Sequence, residues 1–333
     1  MAIVSLLERY RDYLMSLPHV QGVGSGKKRV NNLWIDKEAL LVFVDQKLPE
    51  SELRPQEIVP ASLEGTITDV IPTGKIFFFR LARRRPVQPG LSIGHYRVTA
   101  GTLGAIVYDE HQAPYLLSNN HVFVGEPEES EGSSTIGDPI LQPGPYDGGT
   151  LNTDLVARLK SFIPLQLSLV EPDCKLASGI QKLGNLAFKL ILPSYRFVLQ
   201  KRNNRENLVD AALAEPISRE IFREELLDVG LVRGTREAEA GMEVKKSGRT
   251  SGLTSGIIRA VNVTIQVQVR PGATAIFTHQ ILSDLRSEQG DSGSLVLDGD
   301  NMAVGLLFAG SADFALMNRI ELVLKLLGAN FNC

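Results

Sequence analysis

The sequence predicts a mainly β chain of antiparallel barrel type with a small α/β module at its N-terminus, and three observations lead there. From about residue 90 onward, short β-branched segments are broken by glycine, as in Tyr96-Arg97-Val98-Thr99-Ala100-Gly101-Thr102-Leu103-Gly104-Ala105-Ile106-Val107, in 256–269 and in 294–308. That rhythm is the one short antiparallel strands and turns produce. Residues 1–75 read differently, with a helical stripe leading into strands. Finally, 333 residues exceed one typical core, so a domain plus an appendage is expected.

Along the chain, Ile3, Leu6, Leu7, Tyr10, Leu14 and Leu17 recur at helical spacing and stop before Pro18, which gives one amphipathic helix. Strands follow over 20–30 and 33–44, separated by Asn31-Asn32, and a further strand covers 65–71. The stretch 49–60 is polar and turn-rich. Gly22, Gly24 and Gly26 do not open a helix at the fingerprint spacing, so they carry no nucleotide-binding signal. The basic, proline-containing segment 76–89 reads as a linker, and 90–333 as the main domain. Within that domain 217–227 and 320–327 have helical patterns. There is no internal repeat.

Composition narrows the function classes. Hydrophobic residues make up 43% and charged residues 22%, which are ordinary values for a globular chain. The formal net charge of -3 gives no global attraction to nucleic acid or to an anionic membrane, so neither is expected as a partner. Basic clusters at 80–85 and at Arg196, Lys201, Arg202 and Arg205 read as solvated loops. The first residues become charged before a signal-peptide core could form, and no run is long enough to span a bilayer, which makes a cytoplasmic location the expectation. Cys174 and Cys333 lack metal spacing, fit a reducing compartment and predict no metal site.

The chemistry is concentrated in Glu288-Gln289-Gly290-Asp291-Ser292-Gly293-Ser294. A serine hydroxyl becomes a useful nucleophile only with a base in reach and donors for the developing oxyanion. Gly290 and Gly293 allow the tight backbone path in which the amides of Gly290 and Ser292 serve as those donors. Of the five histidines, His121 stands out, because it follows an apolar strand in the short turn Ser118-Asn119-Asn120. His95 and His279 lie in strand-like surroundings. For the acid, Asp210 opens a run of small apolar residues, where a carboxylate needs a partner. Asp154, in Thr153-Asp154-Leu155-Val156-Ala157, has a similar setting and competes with it.

The order His121, Asp210, Ser292, with Gly-Asp-Ser-Gly at the serine and the following strand Ala303–Gly310, resembles the chymotrypsin/trypsin-like serine peptidases. It differs from the order in subtilisins and α/β-hydrolases. Within that clan the chain resembles a leaderless bacterial group that is also similar to the plant narrow-leaf protein. The marks are Leu117-Ser118-Asn119-Asn120-His121-Val122, 137–144, Val209-Asp210-Ala211-Ala212 and Lys246-Ser247-Gly248-Arg249-Thr250-Ser251-Gly252-Leu253-Thr254. The resemblance implies two β-barrels with His121 and Asp210 on the first and Ser292 on the second, acting as base, acid and nucleophile, with Gly290 and Ser292 at the oxyanion. It implies a serine endopeptidase acting on protein or peptide substrates without metal or organic cofactor, and a substrate pocket at Arg286, Phe308 and Gly310, although for Arg286 its residue type favours an exposed surface position over the pocket floor. A silent scaffold on the same fold and an esterase using the same triad are the alternatives, and a homo-oligomer is compatible with the appended module. The chain departs from the pattern in its long stretch between His121 and Asp210, read as an insertion within about 125–205, and in lacking an Ile-Val-Gly-Gly-like start.

Overall fold

The computed structural model describes residues 3–30, 33–74, 80–98, 100–125, 134–170, 174–192 and 194–332. The Asn31-Asn32 turn, the first residues of the expected linker and Cys333 lie outside the described residues. Contacts divide the chain into two units, Met1–Phe78 and Phe79–Cys333.

In the first unit, α1 (Ile3–Met15) buries Leu6 and Leu14 and ends ahead of Pro18, as its spacing predicts. It is followed by β1 (Val20–Val30), β2 (Leu33–Val44), β3 (Ser62–Leu63) and β4 (Thr66–Pro72), which form one sheet in the order β1-β2-β4-β3. The β2–β4 pair is parallel and the other two pairs are antiparallel. Leu14 and Leu17 pack on Val42 and Val44 on one face, while Leu41 and Ile71 meet Phe43 and Ile67 in a second cluster. Of the alternate glycines of β1, Gly26 is the one at which a side chain would crowd a neighbour. A Cβ at Gly22 or Gly24 would stand 3.4 or 3.5 Å from the Phe43 ring, and one at Gly26 only 2.9 Å from Leu41.

The second unit opens with Arg80, whose guanidinium donates to the Ser247 hydroxyl and, at 3.0 Å, to the Gly248 carbonyl. Val87 is buried and exchanges backbone hydrogen bonds with Ile221 and Arg223. The described part of the expected linker is therefore packed into this unit. Its strands begin with β5 (Ser92–His95), β6 (Gly101–Thr102), β7 (Ala105–Tyr108) and β8 (Pro114–Ser118). A single helical turn α2 (Asn120–Phe123), then β9 (Pro139–Leu141), the turn α3 (Leu151–Asp154) and β10 (Leu155–Phe162) follow. After β11 (Leu169–Val170), α4 (Lys175–Ile191) and β12 (Lys201–Arg202), the chain returns as β13 (Ala212–Pro216).

Seven of these strands form a sheet in the order β6-β5-β9-β10-β13-β8-β7. Its edge strands β6 and β7 are joined by Leu103 and Gly104, whose amides donate to the carbonyls of Leu91 and Leu117 at 2.9 Å each. The sheet thus rolls until its edges meet, in the manner of a barrel. Within the 125–205 stretch where an insertion was expected, β9 and β10 are integral strands of this sheet. The true excursion runs from 163 to 206 and carries β11, α4 and β12. Asn207 ties its base, accepting from the Gln166 amide at 2.7 Å and donating from Nδ2 to the Gln166 and Ile276 carbonyls at 2.9 and 3.0 Å.

The remaining strands are β14 (Glu243–Gly248), β15 (Gly252–Arg270), β16 (Ala273–Ser283), β17 (Leu295–Leu297), β18 (Ala303–Gly310) and β19 (Ala315–Arg319), and they close into a six-stranded barrel. The terminal helix α5 (Ile320–Leu327) matches its predicted pattern and buries Ile320, Val323 and Leu324. Those side chains join Ala105, Leu117, Leu213, Leu295 and Leu306 in one core, so both sheets share apolar contacts. The helix expected over 217–227 is absent; only a short 3-10 turn, Arg219–Ile221, forms. Its backbone groups are engaged by Val87, and tertiary pairing overrides the local pattern.

Gly104 joins the rolled sheet to the serine turn without a side chain, since a Cβ there would stand 2.3 Å from the Gly293 carbonyl oxygen. Gly104→Ala is expected to lower unfolding free energy by about 1–3 kcal/mol through overpacking. Thermal and urea melts that superpose on the parent's would show that the two backbones do not meet there.

Candidate active site

His121 lies in α2, directly after β8. The turn is set by Asn119, whose carbonyl accepts from the amides of Val122 and Phe123 and whose Nδ2 donates to the Asp210 carbonyl at 2.7 Å. Asp210 stands just ahead of β13, the neighbour of β8 in the sheet. Its carboxylate faces His121 twice: Oδ2 lies 2.5 Å from Nδ1, and Oδ1 accepts from the His121 amide at 3.2 Å. The carboxylate is 4% exposed and the imidazole 29%, so the acid is sealed beneath a ring that reaches solvent. This contact places the hydrogen on Nδ1 and leaves Nε2 as the basic nitrogen on the far side of the ring.

Asp210 is itself held from the closed barrel. Its amide donates to Asn318 Oδ1 at 2.9 Å, Asn318 Nδ2 donates to Gln280 Oε1 at 2.7 Å, and Gln280 Nε2 donates to the Leu208 carbonyl at 2.9 Å. Asp154, the competing acid, is engaged elsewhere. It accepts from the Thr150 amide at 2.9 Å and the Thr153 hydroxyl at 2.7 Å, and it pairs with Arg83 at 3.1 Å. His95 also has a carboxylate, Asp138, at 3.2 Å, but it is 1% exposed and its Nδ1 accepts from the Arg97 amide, which makes it a structural group. Burial, only partly countered by Asp138, holds its pKa below the usual imidazole value.

Ser292 sits in the turn between β16 and β17. Gly290 and Gly293 have φ of 98° and 94°, a region open to glycine and strained for other residues. The turn abuts the His121 segment through bare backbone. Thr102 donates to the Ser292 carbonyl at 2.8 Å, and a Cβ at Gly101 would strike both that oxygen, at 2.9 Å, and Val122, at 2.4 Å. A Cβ at Gly293 would likewise strike the Ser118 hydroxyl at 2.3 Å. The amides of Asp291, Gly293 and Ser294 are used within the fold, bonded to the carbonyls of Glu288, Leu307 and Asp291. Among the described residues, no protein acceptor is bonded to the amides of Gly290 and Ser292. Ser292 Oγ donates to the Phe308 carbonyl at 3.3 Å, a long bond.

Two buried ion pairs lie behind this turn. Lys246 and Asp291 have fully buried side chains 2.9 Å apart. The Asp291 carboxylate also accepts from the amides of Glu288, Thr250 and Ser251 at 2.9, 2.9 and 3.0 Å and from the Ser251 hydroxyl at 2.5 Å. Burial alone would raise its pKa, but Lys246 and these donors outweigh it and hold the carboxyl below its usual range. Burial pulls Lys246 down, with Asp291 opposing. The second pair is bidentate, with Arg249 Nε and Nη2 each 2.6 Å from Asp147. The Arg249 amide donates to Thr102 Oγ1 at 3.0 Å, and that hydroxyl donates to the Gly290 carbonyl at 2.9 Å.

A cleft of about 660 Å³ opens beside Ser292, lined by Val267, Leu282, Leu307, Phe314 and Leu316 among others. Of the expected pocket residues it contains only Gly310. The Arg286 side chain is 76% exposed and paired with Glu288 at 2.7 Å, so it does not form the floor. Phe308 is buried against the Phe277 ring, 4.7 Å between centroids, because strand alternation gives the cleft to its neighbours Leu307 and Ala309. Sequence reading missed Lys246, Arg249, Asp147, Thr102 and Asn318 as supports. The signal available was three basic residues, Lys245, Lys246 and Arg249, at one strand end, where any that is buried demands a partner.

No protein-family model matches the chain, and no curated protein matches it. Among solved structures it is similar to Thermobifida fusca Protease A, with a TM-score of 0.46 and 15% identity over 73% of this chain and 97% of that one. It is similar to Nocardiopsis Protease, with a TM-score of 0.47 and 16% identity over 74% of this chain and 99% of that one. A third is Cellulomonas bogoriensis chymotrypsin, with a TM-score of 0.45 and 15% identity over 74% and 97%.

Because the folded-state pKa of Asp291 is depressed, its contribution to stability is complete above the ordinary carboxylate range and is lost as pH falls through the depressed value. Lys246→Met keeps the burial and removes the counter-charge. Acid unfolding is therefore expected to begin at a higher pH, with about 3–5 kcal/mol less stability at neutral pH. Urea midpoints followed against pH provide the check, and a profile unchanged from the parent's would contradict this account of the turn.

Proposed function

We propose that the chain is a serine endopeptidase in which Ser292 is the nucleophile, His121 the general base and Asp210 the orienting acid. The observation that carries this reading is the 2.5 Å contact between His121 Nδ1 and the buried Asp210 carboxylate, made by a helical turn whose Val122 faces the same glycine, Gly101, as the Ser292 carbonyl. As Ser292 Oγ attacks the scissile carbonyl carbon, His121 Nε2 takes the hydroxyl proton and Asp210 stabilises the imidazolium. The oxyanion is received by the amides of Gly290 and Ser292, which the fold leaves unspent among the described residues. His121 then returns the proton to the leaving amine, and water, deprotonated by the same nitrogen, hydrolyses the acyl-enzyme. The bond from Ser292 Oγ to the Phe308 carbonyl is long enough to be given up as the hydroxyl turns to substrate.

The cleft supports an apolar residue on the acyl side of the scissile bond, since Val267, Leu282, Leu307, Phe314 and Leu316 dominate its wall. A cationic floor for acidic side chains finds no support, with Arg286 outside the cleft. Peptides with Phe or Leu at that position are expected to be turned over faster than Glu peptides. A preference for Glu would refute the apolar assignment.

Labelling with a fluorophosphonate, with the adduct located by mass spectrometry, tests the triad. Modification at Ser292 is expected in the parent and in Asp154→Ala, and its loss in His121→Ala. Asp210→Asn is expected to slow turnover by about four orders of magnitude at neutral pH, through the wrong imidazole tautomer. A well-folded parent that neither labels nor cleaves peptide would sink the proposal.

A further inference from the structure

The proposed reaction makes no use of α4, and this helix presents its apolar side outward. One side packs on the returning segment. Phe188 stacks on Phe197 with centroids 6.3 Å apart, Asn185 Nδ2 donates to the Phe197 carbonyl and its Oδ1 accepts from the Phe197 amide, both at 2.9 Å, and Gln181 accepts from the Leu199 amide at 2.9 Å. Gly184 admits the ring, which lies 2.7 Å from where its Cβ would stand. At 100° per residue these four positions share one side of the helix. The other side carries Leu176, Ile180, Leu183 and Leu186, which are 75%, 47%, 68% and 60% exposed. From Leu176 to Leu186 this row is about 15 Å long, on a helix of 17 residues.

Its charge is equally one-sided. From 174 to 205 the chain has seven basic residues and no acidic one, although the whole protein is net negative. Lys175, Lys182 and Lys189 recur every seven residues along one border of the apolar row, and all three are exposed. Aliphatic side chains flanked by ammonium groups on flexible stems match a surface whose interior is apolar and whose rim is anionic. Two copies of this row facing each other would bring like charges together with no carboxylate in either to relieve them. Among the described residues no helix is long and apolar enough to cross a membrane, so α4 would lie along a bilayer.

We propose that α4 docks the protein on anionic phospholipid, with Leu176, Ile180, Leu183 and Leu186 among the acyl chains and Lys175, Lys182 and Lys189 at the phosphates. The expectation of no membrane contact rested on the net charge of the whole chain, which averages away a segment of this kind. The inference stands apart from the peptidase reading.

Flotation of the full-length protein with phosphatidylcholine vesicles, with and without phosphatidylglycerol, provides the test. Binding is expected only to the anionic vesicles and is expected to weaken with salt. Lys175→Gln, Lys182→Gln and Lys189→Gln together should lower affinity on the order of a hundredfold. Leu183→Asp with Leu186→Asp should abolish binding while helicity by circular dichroism stays that of the parent. Equal binding to both vesicle types, or none to either, would overturn the proposal. So would a stable oligomer in light scattering that Leu183→Asp dissociates, because the face would then join copies of the chain.

Discussion

The arrangement around Ser292 depends on a carboxylate outside the proposed triad. Asp291 is fully buried and does not line the cleft, and an isolated charge there would be untenable. Lys246, the Ser251 hydroxyl and three backbone amides surround it, and those amides come from both the turn itself and the loop after β14. A replacement at Asp291 would leave Lys246 uncompensated, and the backbone of the turn would lose the anchor between its two glycines. The geometry that leaves the amides of Gly290 and Ser292 unspent is thus set from behind, by electrostatics in a low-dielectric interior. Gly248 is part of the same constraint, since a Cβ there would stand 2.4 Å from the Asp291 carboxylate.

A second constraint is the close approach of bare backbones where the rolled sheet meets the closed barrel. Gly101, Gly104 and Gly293 each sit where a Cβ would strike a neighbouring oxygen. The Thr102 amide and hydroxyl reach the carbonyls of Ser292 and Gly290 on either side of Asp291. Ser292 is therefore positioned by the sheet that precedes His121 as much as by its own barrel. Relative movement of the two would break backbone hydrogen bonds.

The residues whose chemistry is local were legible in the sequence. Ser292 was marked by its glycines, His121 by its place at the end of an apolar strand, and Asp210 by the small apolar run that it opens. Local context favoured Asp210 over Asp154, although both are acids at the edge of an apolar strand. What separates them is which neighbour the sheet order supplies: β8 with His121 for the one, Arg83 for the other. The helix expected over 217–227 failed for a related reason, since its carbonyl and amide groups are claimed by Val87 from a distant part of the chain. Arg286 shows the limit of counting along a loop: six residues from Ser292 the chain has already turned to solvent. That the glycines of β1 lie across from Phe43 and Leu41 depends on a strand pairing that a single run of residues does not reveal.

The clamp at Asn207 gives the excursion 163–206 a particular mechanical character. The outgoing strand and the returning strand are stitched to each other and to β16 by one side chain, three residues ahead of Asp210. Its own amide and carbonyl add bonds to Ile276 and Thr278 at 2.8 and 3.0 Å. A load applied at the tip of the excursion is therefore grounded in the barrel wall before it reaches the carboxylate. The appendage can be tethered, tugged or exchanged for another of different length while the alignment of imidazole and acid stays as it was, much as a strain-relief fitting protects a soldered joint from its cable.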